Sequence, residues 1–113
     1  MSTKVGTSMA LFGLLNTEEL EQFATSLAMD LGRRFPPASE ARTDPGAKHQ
    51  IKVILEGLAA RAIRYQSDQK FGVYKTAKLG NVFKWKLKEL GYSDDFAERV
   101  TKDIVTRLAV NRR

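Results

Sequence analysis

The chain has 113 residues, 42% hydrophobic and 28% charged, with a formal charge of +6 and no cysteine. That length suits a single domain (residues 1–113) around one core, burying roughly 65% of the surface that the unfolded chain exposes. The missing cysteine excludes disulfides, thiolate-held zinc, iron–sulfur clusters and thiol nucleophiles.

The positive charge is concentrated. Residues 1–47 carry 4 basic and 6 acidic side chains, residues 48–92 carry 10 and 3, and residues 93–113 carry 5 and 4. The middle of the chain is therefore the part that favours an anionic partner.

Residues 1–8 are small and polar and are expected to be loose. The following "MALFGLL", residues 9–15, is too short to span a bilayer, which needs about 20 residues. It also makes a poor signal peptide, because one lysine precedes it, no small-residue cleavage site follows, and Glu18, Glu19 and Glu21 come next. Without a basic polar face it does not read as an interfacial anchor, and packing against its own domain or a neighbouring chain is expected instead. The location expected by default is cytoplasmic.

The first helix is expected to start at Asn16, with Glu19 completing a capping box and Leu15 and Leu20 at the staple positions. Leu20, Phe23, Ala24, Leu27 and Leu31 recur at helical spacing. Gly32 is expected to end this helix, and Pro36 and Pro37 to prevent its resumption. Residues 33–47, rich in Pro, Ser and Ala, read as a flexible linker.

Asp44 and Pro45 form an N-cap and first helical residue, opening a second helix to about Ser67. Gly57, Ala59 and Ala60 form a small-residue patch at its middle, suggesting close approach of another element there. A third helix is expected over about Thr76–Leu90, with a kink near Gly80 and Gly91 as its terminator. Ser93 caps a fourth helix at about Asp94–Val110, whose acidic residues Asp95, Glu98 and Asp103 stand four places before Arg99, Lys102 and Arg107.

One stretch reads two ways. In "NVFKWKLKELGY", residues 81–92, Phe83, Trp85 and Leu87 alternate with lysines as in a half-buried strand, yet Leu79, Val82, Phe83, Leu87 and Leu90 share a helix face. The lysine, leucine and glutamate content favours the helix. Its cost is that Trp85 falls off the apolar stripe and Lys86 falls on it. The fold expected is all-α, a compact four-helix bundle or a helical dimer. The alternative is an α+β chain with a hairpin at about 71–88.

Catalytic chemistry has little footing. His49 is the only histidine and reads as a first-turn surface residue, while the early glutamates read as partners of a helix dipole. No phosphate-binding glycine loop is present, and neither a metal nor a cofactor is expected. A helix-turn-helix over residues 83–104 fails on charge, because Asp94, Asp95 and Glu98 would meet the phosphates.

What stands out is a cluster of lysines and aromatics. The candidate contact residues are Lys70, Tyr74, Lys75, Lys78, Phe83, Lys84, Trp85, Lys86 and Lys88, with Phe71 among the interleaved aromatics. The function expected is a non-enzymatic interaction module, a small regulatory or adaptor protein that binds an acidic protein surface and self-associates as a homo-oligomer. The alternative is a nucleic-acid-binding protein whose lysines contact mainly phosphates, since lysine is a poor bidentate reader of bases.

Overall fold

The computed structural model describes residues 2–70 and 72–112, with side chains described for 17–70 and 72–111. Four α-helices run in the order α1 (Ser2–Arg34), α2 (Pro45–Gln69), α3 (Val73–Leu90) and α4 (Asp94–Arg112), with a short 3-10 helix at Pro37–Ala41 between the first two. No strand occurs among the described residues, so the fold is all-α and the hairpin at 71–88 does not form. Phe71 itself lies outside the described residues.

Around the bundle, α1 packs on α3, α3 on α4, α4 on α2, and α2 more loosely on α1. Hence α3 lies across the bundle from α2. Leu20, Ala24, Leu27, Ala28 and Leu31 of α1 enter the core with Leu58 and Ala62 of α2. Leu79, Phe83 and Leu87 of α3 meet them there, with Phe96, Val100, Ile104 and Leu108 of α4.

The helix ends show which local signals hold. Asp44 accepts a hydrogen bond from the Ala47 N–H at 3.0 Å, with Pro45 in the first turn. That bond and the Arg42 guanidinium, the larger influence, hold its carboxyl below the ordinary 3.8. Gly91 stops α3 at φ 112°, in the left-handed region that glycine enters without a Cβ clash. The Ser93 hydroxyl accepts from the Phe96 N–H at 3.1 Å and caps α4.

Other expectations are corrected. Asn16 is not an N-cap, because α1 runs unbroken from Ser2. The leucines, alanine and methionine before it are good helix formers and carry the helix through. The side chains of "MALFGLL" and of Asn16 lie outside the described residues. Gly32 does not terminate α1, which continues to Arg34. A Cβ there would lie 3.4 Å from Leu90 Cδ1, so Gly32 serves close packing on α3. A Cβ at Gly57 would meet nothing within 4 Å beyond its own stretch of helix, whereas at Gly80 a Cβ would fall 2.6 Å from Val105 Cγ2. The close approach is therefore at α3 on α4. Of the three expected ion pairs along α4, Asp103–Arg107 forms at 3.1 Å. Asp95–Arg99 and Glu98–Lys102 do not come within 4.0 Å.

The segment 33–47 is tied down at several points. The Glu40 carboxylate accepts from the Ser93 N–H at 2.9 Å and from the Ser93 hydroxyl, fastening the 3-10 helix to the start of α4. The buried Tyr92 hydroxyl donates to the Phe35 carbonyl. Burial, and secondarily the Glu40 carboxylate, push the Tyr92 phenol up from 10.0 to about 12. The folded chain thus favours the neutral phenol. That contribution is complete below about pH 10 and is lost as pH rises through 12. Urea unfolding of the wild type should show stability falling across that window, and Tyr92→Phe should flatten the fall.

Charge is also placed on the inner flank of α1. Asp30, with its side chain only 8% exposed, receives Arg33 at 2.8 Å, Arg34 at 3.3 Å and Arg61 of α2 at 3.2 Å. A carboxylate so far from water needs such partners. Beside it, Phe23 and Tyr65 stack with centroids 4.1 Å apart and join α1 to α2.

Candidate interaction surface on helix α3

A helix turns 100° per residue, so Phe83 and Trp85 stand roughly 200° apart and face opposite ways. Thr76, Leu79, Phe83 and Leu87 point into the core. Tyr74, Lys78, Asn81 and Trp85, at spacings of four, three and four, form a stripe on the far side. Because α1 and α4 hold the flanks and α2 lies across the bundle, no element among the described residues covers Tyr74, Asn81 and Trp85, while the half-buried Lys78 leans towards α1. Tyr74 is 72% exposed and Trp85 54%.

The nine candidate contact residues separate accordingly. Phe83 is fully buried and belongs to the core, so it is removed from the candidate surface. Its apolar neighbours Leu79 and Leu87 share its helix face, and alternation with lysines is a misleading signal in a helical segment. Tyr74, Lys78 and Trp85 belong to the exposed stripe. Lys88 borders it, with its Nζ 4.8 Å from the centroid of the Trp85 ring and 3.6 Å from Asp94 Oδ1. Lys84 stands on the α4 flank, and Lys75 and Lys86 stand on the opposite flank. Lys70 is displaced from α3 altogether: it is the left-handed C-cap of α2, at φ 50°.

Several of these charges are already engaged. Lys78 lies 3.6 Å from Glu21 of α1, and Lys86 lies 3.1 Å from Glu89. Such surface pairs are worth only about 0–1 kcal/mol, so a partner could exchange them at small cost. Lys70, Lys75 and Lys84 have no carboxylate within 4.0 Å among the described residues. The result is an exposed aromatic at each end of the stripe with lysines along its flanks, two of which, Lys75 and Lys84, are unpaired among the described residues.

Sequence reasoning misses a second concave region, between the 33–47 segment, α2 and α4. Phe35 and Tyr92 each sit just past a helix end, outside any periodic stripe. They nevertheless stack with Phe96, whose centroid is 6.0 Å from Phe35 and 4.8 Å from Tyr92. An aromatic placed immediately after a helix terminus is the signal that could have found them.

His49 is exposed in the first turns of α2, in a shallow hollow with Arg34, Gly46 and Gln50. Among the described residues, no three His, Asp or Glu side chains gather as a metal site, and no helix is long and apolar enough to cross a membrane. No family model matches the chain, and neither the curated proteins nor the solved structures yield a match, so the surface is read from its own residues.

Proposed function

We propose that this chain is a non-enzymatic helical interaction module, a small regulatory or adaptor protein. It docks the outer stripe of α3 onto an acidic surface of a protein partner in the cytoplasm. The observation that carries this reading is Trp85, the single tryptophan, half-exposed on the side of α3 opposite the core. A tryptophan left in water is a ready anchor for a partner's pocket, and such anchors dominate interface energetics. Lys75, Lys78, Lys84 and Lys88 would steer an acidic rim towards it. The module also self-associates in this reading. Two α3 faces would bring like charges together, so a second copy would have to offer a different, acidic surface.

Phosphate contact with nucleic acid is the second reading, favoured by the unpaired Lys70, Lys75 and Lys84. Affinity capture from native lysate, with and without nuclease, separates the two. A protein partner that survives nuclease supports the module, and recovery of nucleic acid alone supports the second reading. With the captured partner in hand, Trp85→Ala should weaken binding by at least 10-fold, as expected for a central aromatic anchor. Tryptophan emission of the wild type should shift to the blue on complex formation. Unchanged affinity in Trp85→Ala would remove α3 as the docking face.

A further inference from the structure

The groove between the 33–47 segment, α2 and α4 has a volume of about 350 Å³, within the range of small-molecule sites. Its floor is apolar: Phe35, Ile51, Leu55, Phe96 and Val100. Charged side chains ring its mouth, and their internal bonding is uneven. Glu40 is held by the Ser93 N–H and hydroxyl, and Asp103 by Arg107 at 3.1 Å. Arg42 is neutralised by Asp44 at 3.2 Å. Lys48 and Arg99 also line the groove and have no carboxylate within 4.0 Å among the described residues. Arg99 instead lies over the Phe96 ring, its Cζ 6.0 Å from the centroid.

An apolar floor with two uncommitted cations at the rim matches a ligand with an apolar body and an anionic head. The head should carry a single charge: with Arg42 offset by Asp44 and Asp103 by Arg107, the remaining Lys48, Arg99 and Glu40 leave one net positive charge at the rim. We propose that this groove binds a monocarboxylate with an apolar chain, of the medium-chain fatty acid class. The chain lies against Ile51 and Leu55, and the carboxylate meets Lys48 and Arg99. This site is independent of the α3 surface, since no α3 residue lines it.

The test is a titration of the full chain with octanoate, followed by amide chemical shifts, with octan-1-ol as the uncharged control. Saturable shifts confined to residues 35–55 and 96–103, with octanol at least 10-fold weaker, are expected. Lys48→Ala/Arg99→Ala changes two exposed side chains and should bring octanoate down to the level of octanol while leaving the circular dichroism unchanged. Emission from Trp85 should stay constant throughout, which separates this site from the docking face. Absence of saturation at millimolar octanoate overturns the proposal. Equal affinity for acid and alcohol does so too, as does an acidic peptide moving these amides where octanoate does not.

Discussion

Phe83→Ala should destabilise the bundle by about 3–5 kcal/mol, the cost of removing a fully buried aromatic ring and leaving a cavity. Phe83 is 0% exposed on a helix that packs against both α1 and α4, so a void there has walls from three elements and cannot collapse easily. For a domain whose total stability is about 5–15 kcal/mol, that is a large share. Trp85→Ala, two residues on, should change stability by about 0.5 kcal/mol or less, because its ring is 54% exposed and its cation–π contact with Lys88 is at the surface. Urea unfolding of both variants measures the contrast. A large loss for Trp85→Ala with a small one for Phe83→Ala would mean that α3 is rotated by half a turn about its axis.

The same pair of residues shows how far the amino-acid pattern is legible. Around Phe83 and Trp85 the sequence offers both periods. Only the wider composition, poor in β-branched residues and rich in helix formers, decides for the helix. Given the helix, the offset of Trp85 from the stripe follows from geometry, and its ring stands on the outer face. Phe83 nevertheless reads as a contact residue because it adjoins the lysines in sequence, and adjacency is not a shared face in a helix.

Helix ends are legible where their chemistry is local. Asp44 with Pro45, Gly91 and Ser93 each act within four residues of themselves, and all three ends stand where those residues put them. Asn16 shows the limit: its capping pattern is present, but the residues before it are equally content in a helix, so nothing stops α1 there. Contacts between distant elements are not legible. Glu40 on Ser93 and Tyr92 on Phe35 join residues 53 and 57 positions apart, and no local pattern marks them. The groove they border is therefore invisible in the sequence, as is the tie that fastens the 33–47 segment to α4.

Gly57 and Gly80 look alike in sequence, each a lone glycine inside a helix, and opposite outcomes are expected when each is changed. At Gly57 there is free space, so Gly57→Ala should stabilise the chain by up to about 1 kcal/mol through helix propensity alone. At Gly80 the same gain is opposed by a Cβ 2.6 Å from Val105 Cγ2 and 3.5 Å from Thr101 Cγ2. Val105 is β-branched and sits in a helix, where its χ1 is nearly fixed, so it cannot rotate aside. Helix α4 must then move, and overpacking of this kind costs about 1–3 kcal/mol. Gly80→Ala should therefore be neutral to destabilising by about 2 kcal/mol, and Gly80→Leu should cost about 3 kcal/mol or more. The cause can be isolated by a double-mutant cycle. Val105→Ala removes the opposing methyls, so in that background Gly80→Ala should turn stabilising, with a coupling of about 1 kcal/mol or more between the two sites. Additive effects in that cycle would mean that α3 and α4 are not in contact at Gly80, and the seam between them would have to be redrawn.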